Sequence, residues 1–152
     1  MHIWVDADAT PKAVKAILFR AAQQRGQALT LVANQPLDVP RSPLIRAVRV
    51  GAGFDVADDY IVEHVQAGDL VVTADIPLAA ALVPRDCHVL SPRGELFTAE
   101  TVRQRLNLRD FHETLRASGL DTGGPPTYNQ ADRQAFANAL DRLVTRAARS
   151  AP

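Results

Sequence analysis

The stretch His2-Ile3-Trp4-Val5-Asp6-Ala7-Asp8-Ala9-Thr10-Pro11 decides how the rest of the chain is read. Ile3 to Val5 is an unbroken apolar run of the length of a buried strand. Thr10 suits a helix N-cap, and Pro11 suits the first helical position, where a missing N–H costs nothing. Ala13, Val14, Ala16, Ile17 and Leu18 then recur at helical spacing. Asp6 and Asp8 therefore stand where a strand gives way to a helix. In an open α/β sheet that edge is where ligands bind. If the chain stays extended to Asp8, the side-chain period of two points both carboxylates the same way.

Working outward, short apolar runs alternate with helical periodicity, as βαβ units require. The first helix spans about Pro11 to Arg25 and ends at Gly26. Ala28 to Ala33 reads as a second strand, followed by Asn34-Gln35 and a connection broken by Pro36, Pro40 and Pro43. Ile45 to Val50 reads as a third strand, placed nearer an edge because Arg46 and Arg49 interrupt it. After Gly51-Ala52-Gly53, Asp55 is expected to cap a helix that Gly68 ends. Leu70 to Thr73 is a strand, Leu78 to Val83 a short helix, and Cys87 to Leu90 a last strand before Ser91-Pro92-Arg93-Gly94. Beyond Thr98 no strand pattern appears. Thr98 to Ser118 reads as one or two helices and Gln130 to Ala148 as another, separated by a loop containing Gly123-Gly124-Pro125-Pro126. The expected fold is α/β: a three-layer, parallel or mostly parallel sheet of about five strands, with flanking helices and a helical C-terminal segment. Residues 1–148 form one domain and 149–152 a frayed tail.

At 152 residues and 47% hydrophobic content the chain can bury one substantial core. Its formal net charge is zero, so no global field draws it to nucleic acid or an anionic membrane. Fifteen of the seventeen cations are arginine, a residue suited to bidentate phosphate contacts but also favoured by a GC-rich gene. Cys87 is the single cysteine, which excludes an internal disulfide and a thiolate metal cluster. No run approaches the length of a membrane span and no signal peptide is visible, so a cytoplasmic location is expected.

The residues that follow each strand are polar: Asp6 and Asp8, Asn34 and Gln35, Asp55 with Asp58 and Asp59, Asp75, and Ser91 with Arg93. Parallel strands put all of them along one edge. So many carboxylates repel one another, and a hard divalent cation is the simplest compensation. Oxygen ligands without His or Cys suit Mg²⁺ or Mn²⁺. Asp6, Asp8, Asp58, Asp59 and Asp75 are the metal candidates, with Asp6, Asp8 and Asp75 catalytic. Such ions activate water and stabilise a phosphodiester transition state. Each residue also has a structural reading. Asp58 and Asp59 suit the first turn of any helix, Asp55 suits a cap, and Asp75 can cap the helix that Pro77 opens. Asp69 begins its strand and belongs to the opposite edge.

Thr10, Lys12, Asn34 and Arg93 are the substrate-binding candidates. Thr10 is also a cap, Lys12 a solvent-exposed cation and Thr73 a β-branched strand residue. Arg109 and Asp110 read as an ion pair. His2, His64, His88 and His112 have no ligand spacing and read as structural, and Cys87 reads as buried and inert.

Several stretches resemble, in order, the bacterial YaiI/YqxD family. They are Trp4-Val5-Asp6-Ala7-Asp8-Ala9, Ile17 to Ala22, Val32-Ala33-Asn34-Gln35, Gly53 to Asp59, Gly68 to Ala79, Pro92-Arg93-Gly94-Glu95 and Gly123-Gly124-Pro125. That family is largely uncharacterised and is similar to the PIN-domain-like nucleases. The resemblance implies a PIN-like fold with acids at Asp6, at Asp58 or Asp59, and at Asp75. Asp8 matches the family's own motif. Relatives usually carry Cys where this chain has Thr10, so a thiol there is not essential.

Three functions follow as expectations. The first is a metal-dependent nuclease acting on RNA or single-stranded nucleic acid, with Asp6, Asp8, Asp59 and Asp75 holding the ions. The second is a haloacid-dehalogenase-like phosphatase, since Asp6-x-Asp8-x-Thr10 matches that opening motif, with Asp6 as nucleophile and Asp8 as acid/base. Against it, Pro11 starts the helix at once, and no later acid pair or lysine fits. The third is a non-catalytic binding protein with a vestigial acidic cleft, since stacking aromatics and basic runs are few. Arg103, Arg105, Arg109 and Arg116, or Arg133, Arg142, Arg146 and Arg149, offer either a phosphate track or a solvated face.

Overall fold

The computed structural model describes residues 1–53, 55–119 and 127–150, with only the backbone for 109–112, 116 and 150. The first strand, β1 (Ile3–Asp6), is buried along its whole length, as its apolar run requires. It is followed by α1 (Lys12–Arg25), β2 (Leu29–Ala33), β3 (Ile45–Arg49), α2 (Val56–His64), β4 (Leu70–Val72), α3 (Ile76–Leu82) and β5 (His88–Leu90). Two long helices close the chain, α4 (Ala99–Ala117) and α5 (Gln130–Ser150). The strands form one sheet in the order β3-β2-β1-β4-β5, and every adjacent pair is parallel. The expected architecture is therefore the observed one.

Strand alternation divides the core into two layers. Ile3 and Val5, with Leu29 and Leu31 of β2, face α1 and α5, where Leu18, Phe136 and Leu140 meet them. Trp4, Val32, Val71 and Val89 face the other way, onto Ile61 of α2, Leu78 and Leu82 of α3 and Val102 of α4. Phe136 is fully buried; burying such a ring is worth about 1.5–3 kcal/mol. Gly26 ends α1 in the left-handed conformation at φ 64°, and its N–H bonds back to the carbonyl of Ala22.

The backbone departs from expectation at several points. Beyond Asp6 the chain does not stay extended: Ala7–Ala9 is a single turn of 3-10 helix. Thr10 does not cap α1, whose N-cap position is Pro11. Its hydroxyl instead donates to the carbonyl of Asp6 at 2.7 Å, closing the turn from the inside. Asp55 makes no side-chain cap bond, because its backbone is left-handed (φ 62°) where a capping residue needs an extended one. Helix α2 ends at His64, short of Gly68, with Val65 extended behind it. Helix α5 continues through Ser150, past the point where a frayed tail was expected. Residues 98–118 hold one helix, and the Gly123-Gly124 loop lies outside the described residues.

Candidate active site

On β1, His2, Trp4 and Asp6 alternate with Ile3 and Val5, so Asp6 ends the strand on the side of α2. Burying a carboxylate there demands partners. The register that sets Val5 beside Val72 brings Thr73, the residue after β4, alongside Asp6. The buried Thr73 hydroxyl donates to Asp6 Oδ2 at 3.3 Å and accepts from the backbone N–H of Asp75 at 3.0 Å. Asp75 in turn accepts from the N–H of Leu78 at 2.8 Å, so the same carboxylate that faces the edge also caps α3. Thr73, which as a β-branched residue suits an ordinary strand position, thus links Asp6 to the Asp75 backbone. Its signal was present in the Thr-x-Asp spacing at the strand end.

The third acid comes from α2. Asp58 lies close enough to Asp75, Asp6 and Asp55 to feel the charges of all three. Burial first, and then these like charges, push its pKa up to about 7. Asp6 is also raised, chiefly by burial and further by Asp75 and Asp8, while the Thr73 bond works against the rise. Asp6, Asp58 and Asp75 thus converge from β1, α2 and the β4–α3 junction. They are crowded enough that the Asp58 carboxyl titrates at about 7. Among the described residues, however, no group of three or more His, Cys, Asp or Glu side chains is arranged ready to hold a metal ion.

The remaining acids are differently placed. Asp8 is exposed, because the 3-10 turn rotates it away from Asp6, and its Oδ2 accepts the backbone N–H of Asn34 at 2.7 Å. Asp59 is exposed and lies about 100° round the helix from Asp58. Of the two neighbours, Asp58 is the one in the cluster. Asp69 sits at the opposite edge as expected, buried, accepting the N–H of His2, the indole N–H of Trp4 and the N–H of Gln66.

Lys12 is exposed at the start of α1, beside the edge. Arg93 is engaged within the protein: it pairs with Asp132 at 2.8 Å and lies over the Tyr128 ring at 5.7 Å. It therefore ties the turn after β5 to α5 rather than offering a free grip for phosphate. Asn34 offers its backbone N–H to Asp8, outside the cluster. Cys87 is buried, and burial raises its thiol pKa. His2 stacks on Trp4 at 4.3 Å and His64 on Tyr60 at 3.9 Å, structural roles as expected. The side chains of His112, Arg109, Asp110 and Arg116 lie outside the described residues. Arg105 pairs with Glu95, so it is not part of an open track.

Fold and site together define an α/β protein with a five-stranded parallel sheet and an acidic cluster at its carboxyl edge. The model of the uncharacterised YaiI/YqxD family matches residues 4–146, and the chain belongs to that family. It is 63% identical over 150 residues to a UPF0178 protein of Bordetella petrii, covering 99% of this chain and all of that one. It is 64% identical over 146 residues to a UPF0178 protein of Thioalkalivibrio sulfidiphilus, covering 96% and 99%. A UPF0178 protein of Halorhodospira halophila is likewise 64% identical over 146 residues, covering 96% and 97%. No solved structure matches the chain.

Proposed function

We propose that this chain is a PIN-like, Mg²⁺- or Mn²⁺-dependent nuclease that hydrolyses phosphodiesters of RNA or single-stranded nucleic acid. The observation that carries the reading is the convergence of Asp6, Asp58 and Asp75 from β1, α2 and the β4–α3 junction, where burial and like charges raise Asp58 to about 7. Among the described residues no arginine is paired with these acids, and crowded carboxyl groups left so are what a hard cation stabilises. Mg²⁺ retains several waters and is usually bound through one or two carboxylates together with substrate phosphate. The lack of a three-residue cage is compatible with that mode of binding. Asp6 and Asp75 would hold the ion. When bound, it would lower the pKa of a coordinated water and offset charge developing on the phosphate.

The chain's own residues supply the rest. The Thr73 hydroxyl fixes Asp6 and the Asp75 backbone relative to each other. A bound cation would favour the ionised form of Asp58, so loading the site would release its proton near neutral pH. Asp8 steadies the exit of β2 through Asn34. The phosphatase alternative is less well supported, because Asp6 and Asp8 face different ways and Asp8 is already bonded to Asn34.

The test is hydrolysis of labelled single-stranded RNA and DNA by purified protein with and without Mg²⁺ or Mn²⁺. The expected result is divalent-dependent cleavage that falls at least ~100-fold in Asp6→Asn and Asp75→Asn, the scale of losing an electrostatic catalytic group. Cleavage unaffected by both substitutions, or absent from wild type with every divalent ion, overturns the reading.

A further inference from the structure

The two edges of the sheet are finished differently. At β5 the chain folds back on itself: Leu96 bridges Leu90 in the antiparallel sense, the Phe97 N–H donates to the carbonyl of Val89 at 2.9 Å, and the Ser91 N–H donates to that of Glu95 at 2.8 Å. At β3, among the described residues, no segment pairs with the outer edge, and β2 is the one element that packs extensively on the strand. An open strand edge is a template for another chain. Arg46, Ala47 and Arg49 are all exposed there.

The pairing with β2 fixes which backbone groups this edge presents. The Leu29 N–H donates to the carbonyl of Leu44 at 2.8 Å, and the Val50 N–H donates to that of Ala33 at 2.9 Å. In a parallel ladder the bonds are evenly spaced and use every second residue of each strand. Leu44, Arg46, Val48 and Val50 therefore turn their N–H and C=O groups to β2, and Ile45, Ala47 and Arg49 turn theirs outward. The Ile45 N–H is taken by the Ser42 carbonyl at 3.3 Å. The Ile45 carbonyl, both groups of Ala47 and the Arg49 N–H remain, alternating acceptor and donor as another strand would match them. The side chains divide between the faces. Arg46 shares a row with Thr30 and Trp4 on the α2 side. Arg49 stands beside Ala33, in the layer of α1 and α5, and its Nε donates to the Asn34 carbonyl at 3.4 Å. The edge thus carries one exposed guanidinium on each face, and among the described residues neither is paired with a carboxylate.

We propose that the β3 edge receives an extended, acidic segment of a partner protein as a further strand of the sheet. Ile45, Ala47 and Arg49 supply the main-chain ladder, and two carboxylates three positions apart meet Arg46 and Arg49. An odd separation puts the two acids on opposite faces of the added strand, which is how the arginines are divided. Opposite charges across a strand pair stabilise it, and like charges oppose it. A second copy of this edge brings only more guanidinium groups, with no acid to meet them. A nucleic acid offers phosphate to the arginines but no N–H ladder for the carbonyls of Ile45 and Ala47. Strand addition of this kind draws affinity from the main chain and selectivity from the alternating side chains.

The test is an NMR titration of the ¹⁵N-labelled full chain with a short capped peptide that carries two glutamates three positions apart among threonine and valine. Saturable shifts centred on the amides of Ala47 and Arg49 are expected, and none with a peptide that has lysine in place of glutamate. Arg46→Glu with Arg49→Glu is expected to weaken the glutamate peptide about tenfold or more and to admit the lysine peptide. Arg142→Glu with Arg146→Glu, both exposed on α5, makes the same change of charge and leaves both results as they were. Ala47→Pro removes an outward N–H, which an edge strand tolerates, so the fold is kept and binding drops roughly fivefold or more. A thermal melt verifies the fold. The wild-type chain with a peptide N-methylated on the side that faces β3 makes the same test without touching the protein. Equal binding of the two peptides, glutamate binding that survives the charge reversal or the N-methylation, or shifts confined to other elements overturns the proposal. So does a dimer that Ala47→Pro disperses while no peptide binds, which gives the edge to a second copy. Single-stranded RNA shifting the Ala47 and Arg49 amides where the peptide does not overturns it as well.

Discussion

Asp58 and Asp59 are adjacent in sequence and opposite in surroundings. One meets Asp75 and Asp6 and is raised to about 7, and the other faces solvent. Nothing in Asp58-Asp59 as a dipeptide separates them. The difference is set by the phase of α2, which the left-handed turn at Asp55 fixes and propensity does not encode. Asp6 and Asp75 were legible because each ends an apolar strand, so their place on the edge follows from topology alone. Asp8 was misread because the 3-10 turn replaces the extended backbone on which the two-residue period depends.

The raised pKa has a consequence for stability. Folding lifts Asp58 above its ordinary value of 3.8, so the native state favours the neutral acid. The stability this contributes is full below about pH 4 and is lost as pH rises through about 7. Without divalent ions, the Tm is therefore expected to fall between about pH 4 and pH 7, and Asp58→Asn should flatten that fall and raise the Tm above it. A wild-type slope persisting in Asp58→Asn would show that the cluster does not govern it.

At the scale of elements, the turn after β5 shows how closely the last helix is fitted. Gly94 has φ +88°, and a Cβ there would lie 2.6 Å from the Ala135 carbonyl carbon in α5 and 2.8 Å from its oxygen. The neighbouring contacts hold the turn in place: Tyr128 Oη donates to the carbonyl of Pro92 at 2.9 Å, and Arg93 pairs with Asp132. Gly94→Ala combines a left-handed backbone with a clash against helix backbone, and is expected to cost about 2–4 kcal/mol. Urea unfolding measures this, and a loss below about 1 kcal/mol would mean that the turn and α5 separate readily. The sequence marked Pro92-Arg93-Gly94 as a turn but assigned Arg93 to phosphate. Its partner Asp132 is 39 residues away, and no local pattern reports so distant a pairing.

Across the whole molecule, the order β3-β2-β1-β4-β5 puts β1 at the centre and gathers its terminal carboxylate with those from both directions. That much was readable, because alternating strand and helix signals leave few topologies once crossovers are right-handed. Activity of the proposed kind requires the edge to take up a divalent cation in exchange for the proton on Asp58. Calorimetric titration with Mn²⁺ in two buffers of different ionisation enthalpy tests this directly. Saturable binding at millimolar affinity or better is expected, with proton release near pH 7, and with both lost in Asp6→Asn. No saturable heat in wild type, or the same heat in Asp6→Asn, would contradict it.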